Sequence, residues 1–164
     1  MSAIKILLLL LAFLCAFHPS PLCEAAVCYV KPTEPHNATC PSEPCYTLDE
    51  YVSNSTRYFV SNTTFMFLTG HHHLSYNLTV SDVDDITLRP HSENSSVVAY
   101  SELVLSPVLM FELANDTVIR DMTFLSIIIG FQECLNITLT GLTADNTGTA
   151  LALINVFGAV KISH

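Results

Sequence analysis

Positive charge is scarce in this chain. Its 164 residues include 6 Lys or Arg against 15 Asp or Glu, for a net charge of −9. The five cations beyond residue 25 are Lys31, Arg57, Arg89, Arg120 and Lys161, and they form no basic stripe. That argues against nucleic acid and against an anionic membrane surface as partners. Long apolar runs are equally rare. Only Ile6 to Phe17 qualifies, and it falls short of the roughly 20 residues a spanning helix needs. The longest later stretch without charge, Asn146 to Val160, carries Asn, Thr and Gly and is also too short. No CxxC pair occurs, which disfavours a zinc site. No nucleophile elbow occurs either. After residue 55 no segment shows a helical period.

The first 25 residues do show a pattern. Lys5 supplies a charged start and Ile6 to Phe17 an apolar centre. Pro19 and Pro21 break the run, and Cys23-Glu24-Ala25 offers small residues for cleavage after Ala25. Residues 1–25 therefore read as a signal peptide, a membrane anchor being the rival, and the rest as a secreted, extracellular chain. Removing them takes away one charge of each sign, so the net charge stays at −9. No membrane span is expected after cleavage. Cys28, Cys40, Cys45 and Cys134 then remain, an even number that suggests disulfides outside the cytosol. The Cys40-Pro-Ser-Glu-Pro-Cys45 loop is stiffened by two prolines, and Cys40–Cys45 is the favoured pair. The pairing of Cys28 and Cys134 stays open, with a buried free thiol as the alternative for Cys134. Seven Asn-X-Ser/Thr sequons, at Asn37, Asn54, Asn62, Asn77, Asn94, Asn115 and Asn136, are candidate glycosylation sites. Asn37, Asn54, Asn62 and Asn94 lie in loop-like stretches; Asn115 and Asn136 lie at or in an expected strand.

The internal echo organises the rest. Phe111 to Phe124 and Phe131 to Ala144 match at an offset of twenty residues, setting Ile119 over Leu139 and Met122 over Leu142. The alternating units Ile86–Arg89, Thr117–Arg120, Ile137–Thr140 and Val160–Ser163 extend the series. A repeat of this length with one short strand per copy indicates a stacked solenoid. Alternation sends Ile86/Leu88, Thr117/Ile119, Ile137/Leu139 and Val160/Ile162 inward. Thr87/Arg89, Val118/Arg120, Thr138/Thr140 and Lys161/Ser163 point outward. Before the coils, Thr47-Leu-Asp-Glu50 is a capping box, and Leu48, Tyr51 and Val52 share one face of a short helix over 48–54. Capping the open end of the stack is one use for it, and an ordinary loop helix is the other. Other strands are expected over Thr63–Leu68, Leu74–Val80, Val97–Tyr100, Glu102–Leu105, Val108–Leu113, Leu125–Ile129, Thr149–Ile154 and Val156–Ile162. An antiparallel sandwich is the rival fold for the same strands.

Four segments carry a resemblance. They are Val30–Thr33, the Cys40 to Tyr51 element, Phe65–His71, and the Asn136–Thr143 rung. Through them the chain resembles the right-handed parallel β-helix (pectin-lyase-like) superfamily. More narrowly, it resembles the N-terminal part of large uncharacterised animal secreted or cell-surface β-helix repeat proteins. The resemblance implies an all-β solenoid, with residues 26–60 as a Cys/Pro-rich cap and 61–164 as coils. Relatives of this kind are longer, and this chain stops at Lys161–His164 without a visible cap, so truncation at the C-terminus is expected.

The resemblance also implies polysaccharide lyases and hydrolases as one functional reading. Such enzymes need clustered acids and a basic group. Asp82, Asp84, Asp85 and Arg89 are the candidates, with a solvated acidic turn as the simpler reading. The superfamily's catalytic motifs are not matched, so no catalytic residue is assigned. His71-His72-His73 raises a metal-binding reading. His71 and His73 would share one strand face, but no third ligand is evident. The leading expectation is a secreted, glycosylated module with a non-catalytic structural or binding role that needs no cofactor. Its outward Thr/Ser/Asn ladders would meet glycans or proteins.

Overall fold

The computed structural model describes residues 26–35, 38–93, 95–103, 106–145 and 151–163. The expected signal peptide and the sequons Asn37 and Asn94 lie outside the described residues. The N-terminal unit comprises β1 (Ala26–Val30), β2 (Cys45–Tyr46), α1 (Leu48–Ser53) and α2 (Ser55–Tyr58). A first coil follows: β3 (Thr63–Phe67), β4 (Gly70–His73) and β5 (Leu78–Ser81). The second is β6 (Thr87–Pro90), β7 (Val97–Tyr100) and β8 (Val108–Glu112). The third is β9 (Val118–Arg120), β10 (Thr123–Leu125) and β11 (Ile128–Gln132). The fourth is β12 (Leu135–Thr140), β13 (Thr143–Asp145) and β14 (Leu151–Ile154), after which β15 (Phe157–Ser163) begins again.

Strands three apart in this order pair in parallel. The result is a parallel β-solenoid of about four turns with three walls. The first wall is the seven-stranded sheet β15-β12-β9-β6-β3-β1-β2. The second is β13-β10-β7-β4 and the third β14-β11-β8-β5. Ile119 pairs with Leu139 and Phe111 with Phe131, as the twenty-residue echo requires. The 31-residue step into the third coil is also as expected, Thr87 pairing with Val118. Its extra length lies between β6 and β7 and between β7 and β8.

Like side chains stack because each coil repeats the same alternation. One inward column is Cys28, Phe65, Leu88, Ile119, Leu139 and Ile162. Another is Val80, Phe111, Phe131 and Leu153, in which the rings of Phe111 and Phe131 stack with centroids 5.2 Å apart. A third runs Thr63, Ile86, Thr117, Ile137 and Val160, the two threonines standing where Val or Ile would fit. Val160 and Ile162 face inward as expected, yet they are 39% and 60% exposed. Among the described residues no strand stacks beyond β15 to cover them.

The corners explain several departures from expectation. Between the third and first walls the chain enters the left-handed region twice, three residues apart, in every coil. The pairs are Asp82 and Asp85, Leu113 and Asp116, Glu133 and Asn136, and Asn155 and Gly158, with φ between 50° and 73°. Asn, Asp and Gly tolerate this conformation best; Leu113 and Glu133 pay of order 1 kcal/mol or more. Each pair brackets one inward side chain: Val83, Ala114, Cys134 or Val156. Other corners cut through expected strands. Leu74–Asn77 separates β4 from β5, and Ser126–Ile127 separates β10 from β11, so neither Leu74–Val80 nor Leu125–Ile129 is one strand. Glu102 and Leu103 belong to no strand.

The core is covered at the N-terminal end. Thr47 Oγ1 accepts from Glu50 N at 3.3 Å and Thr47 N donates to Glu50 Oε2 at 2.7 Å, completing the expected capping box. α1 buries Leu48, Tyr51 and Val52 against the first coil. The Tyr51 ring meets Phe65 edge-on at 5.5 Å, and Phe59 stacks on Phe65 at 4.4 Å. The Tyr51 hydroxyl lies 3.1 Å from Tyr29 O and 3.0 Å from Pro44 O, tying β1 to the cap. Residues 26–60 are thus more than a cap, since β1 pairs along its whole length with β3. Gly70 is needed where residues 32–34 cross β4, because a Cβ there would lie 2.6 Å from Glu34 O.

Two measurements test the columns. Ile119→Ala should cost about 2–5 kcal/mol in urea unfolding, whereas outward Thr138→Ala should stay within about 0.5 kcal/mol. Thr117 is fully buried and its hydroxyl has no partner among the described residues. Thr117→Val should therefore raise stability by about 1 kcal/mol.

Candidate functional site

The outer face of the seven-stranded sheet presents two in-register columns. One is Val27, Thr64, Thr87, Val118, Thr138 and Lys161; the other contains Tyr29, Met66, Arg89, Arg120, Thr140 and Ser163. Adjacent strands are about 4.8 Å apart, so successive outward groups form a regular ladder. Three of the five cations beyond residue 25 lie on this face: Arg89, Arg120 and Lys161. Arg89 Nη2 contacts Met66 Sδ at 4.0 Å. Among the described residues neither arginine is ion-paired. Like charges side by side on a sheet repel, which leaves both guanidinium groups available to an incoming acceptor. A groove of about 310 Å³ beside them is lined by Arg89, Pro90, Ser92, Glu93, Arg120 and Asp121. Near the cap, the Tyr29 ring meets His91 edge-on at 5.6 Å. Aromatic surface, guanidinium groups and hydroxyls thus share one rigid face. Tyr29 was not singled out from sequence; its outward place became visible only through the β1–β3 pairing.

The other candidate residues do different work. In β4 His71 is exposed, His72 is buried and His73 is half-buried. His71 and His73 share the outward face, as expected, and flank Tyr100 with ring centroids 5.9 and 5.1 Å away. His73 Nδ1 lies 3.3 Å from Asp49 Oδ2 and 3.1 Å from Ser75 Oγ. Ser75 donates its hydroxyl to Asp49 Oδ2 at 2.6 Å and its amide to Oδ1 at 2.7 Å. His73 thereby helps hold α1 to the first coil. Among the described residues no three His, Cys, Asp or Glu are placed to hold a metal ion.

The acidic candidates are absorbed by the corner. Asp82 and Asp85 are its two left-handed residues. Asp84 takes Asn115 Nδ2 on its Oδ1 at 2.6 Å, and its amide donates to Ser61 Oγ at 3.0 Å. Arg89 lies past the corner, on the outer face of β6. The structure does not bring these four groups together.

Cys40 and Cys45 form the expected disulfide, with Cα atoms 6.2 Å apart. Cys28 and Cys134 are buried free thiols. Burial pushes the Cys28 thiol pKa up. Cys134 fills the corner position held by Val83 and Ala114 in earlier coils, with Sγ 3.3 Å from Phe111 O. It is a small core residue there. Among the sequons, Asn115 and Asn136 use their side chains within the corner ladder. Asn136 Nδ2 donates to Asp116 Oδ1 at 3.0 Å and its Oδ1 accepts from Ala159 N at 3.2 Å. Asn54 Nδ2 donates to Glu50 O and Ser53 Oγ. Asn62 and Asn77 are exposed. Among the described residues no helix is long and apolar enough to cross a membrane.

His72 generates a pH prediction. Its ring is buried against Phe67, with Nε2 2.9 Å from Leu68 O. Burial lowers its pKa from 6.5 to about 4. The unfolded chain therefore takes up a proton that the folded chain refuses. Stability is complete above pH 6.5 and declines as pH falls towards 4, by up to about 3 kcal/mol. Denaturant melts across that window should show the loss, and His72→Leu should flatten it.

Comparison with known protein families, curated proteins and solved structures finds no match to this chain, so the functional reading rests on the geometry of its own faces.

Proposed function

We propose that the protein is a secreted, N-glycosylated module of the right-handed, pectin-lyase-like β-helix type. Its role is to bind extracellular glycans without catalysis, on the outer face of the seven-stranded sheet. The observation that carries this reading is the ladder itself. Tyr29, Arg89, Arg120, Thr140 and Ser163 stand in one column, with Thr64, Thr87, Thr138 and Lys161 in the next. A solenoid wall is rigid, so these donors and acceptors are ordered before a ligand arrives, which lowers the entropy cost of binding. A linear glycan has repeated hydroxyls and ring faces, and it matches a surface with repeated hydroxyls, guanidinium groups and a tyrosine ring. The disulfide fits an extracellular setting. The Asp82–Asp85 cluster is occupied in turning the chain, which weighs against the lyase or hydrolase alternative.

The test uses the secreted chain on an array of immobilised neutral, carboxylated and sulfated glycans. Retention is expected, and Arg89→Ala/Arg120→Ala should weaken it at least about tenfold by removing two charge-assisted contacts. Retention unchanged in that variant moves the site off this face. Chain cleavage of a soluble polysaccharide by the protein overturns the non-catalytic reading.

A further inference from the structure

At the N-terminal end of the solenoid, each wall presents an edge strand. The first wall is completed by β1 and β2. The edge of β4 is covered by residues 33–34: Thr33 N and Glu34 N both donate to His71 O, and His71 N donates to Glu34 O. The third wall ends at β5, which has no strand partner on that side among the described residues. α2 and Phe59 flank it across a cavity of about 230 Å³ lined by Ser55, Thr56, Phe59 and Thr79–Ser81. An unpaired edge of this kind is a template for pairing with another chain unless something blocks it.

Two sequons flank that edge. Asn77 immediately precedes β5, and its Thr79 is exposed on the strand. Asn62 holds the left-handed corner position (φ 60°) that Asp85 holds in the next coil, its amide donating to Asp84 O at 2.8 Å. Asn62 is exposed, and its side chain makes no hydrogen bond among the described residues. Asn77 Oδ1 accepts from Val108 N at 2.9 Å, and its Nδ2 makes no hydrogen bond among the described residues. Asn115 and Asn136 are the opposite case. Their Nδ2 groups point along the stack at carboxylates of the preceding coil, Asp84 and Asp116. Coils lie about 4.8 Å apart, which leaves no room for a sugar between them.

We propose that Asn62 and Asn77 carry N-linked glycans, that Asn115 and Asn136 do not, and that the two glycans shield the open edge of β5. Glycan transfer precedes folding, so the fold acts as a filter: chains modified within the corner ladder cannot close it. This inference rests on the secretory reading above.

The experiment is expression of the full chain in animal cells. Enzymatic release of glycans in heavy-oxygen water then marks each occupied asparagine for peptide mass mapping. Asn62 and Asn77 should be marked in most molecules, and Asn115 and Asn136 unmarked. Thr64→Ala/Thr79→Ala removes both acceptor sequons through outward residues and should shift the secreted protein from monomer to oligomers on size exclusion. A glycan at Asn115 or Asn136, or bare Asn62 and Asn77 in a chain glycosylated elsewhere, overturns the site assignment alone. A monomeric double variant overturns the shielding role. A chain that is neither exported nor glycosylated overturns the secretory reading as well.

Discussion

The structure depends on one turn made correctly in every coil. A parallel stack exists only if the chain comes back over its own start, and the corner from the third wall to the first does that. Two left-handed residues three positions apart reverse the path, and one small apolar side chain between them plugs the interior. The corner is then locked from coil to coil by side chains. Asn115 bonds Asp84, and Asn136 bonds both Asp116 and the amide of Ala159. These contacts sit at the surface and are individually modest, about 1 kcal/mol each. Their value lies in register. A slip by one residue would move every inward side chain to the outer face.

Given that register, the core follows with little further specification. Val80, Phe111 and Phe131 stack because their coils place them at the same height on the same wall. The cost appears at the ends, where a column meets no partner. The N-terminal end is filled by Tyr51 and Phe59 on Phe65. At the other end Phe124, Ile129, Leu139, Leu142, Leu151 and Ile162 line an apolar cavity of about 250 Å³. This contrast is what stacking predicts: burial in a solenoid comes from the neighbouring coil, and each coil alone is too small to bury its own side chains.

The first wall was legible in the sequence because alternation is strongest there. Ile86/Leu88, Thr117/Ile119 and Ile137/Leu139 announce both the inward face and the spacing between coils. The corners were not legible by the same route. Their shared feature is backbone conformation, and residues as different as Asp82, Leu113, Glu133 and Asn155 occupy the same left-handed position. Read singly, Asp82–Asp85 is an acidic turn that could also be a site, and Cys134 is either half of a disulfide or a buried thiol. Set in register, both become members of one turn. The expected strand over Leu125–Ile129, with Ile127, Ile128 and Ile129 in a row, fails for a related reason. Ile127 is buried at a corner and Ile128 opens β11, so apolar continuity crosses a change of wall.

The same logic separates structural from binding residues on the surface. Asn115, Asn136, Asp84 and Asp116 are exposed or half-buried, yet their hydrogen bonds are spent holding coils together. His73 and Ser75 are spent holding the cap through Asp49. Arg89 and Arg120 are different. They lie side by side in a chain of net charge −9, with Glu93 and Asp121 lining the same groove, and neither pairs with them. Mutual repulsion would favour splaying them apart, and the strand register keeps them together. Like charges held together with no ionic partner among the described residues fit the proposal that the first wall is the binding face.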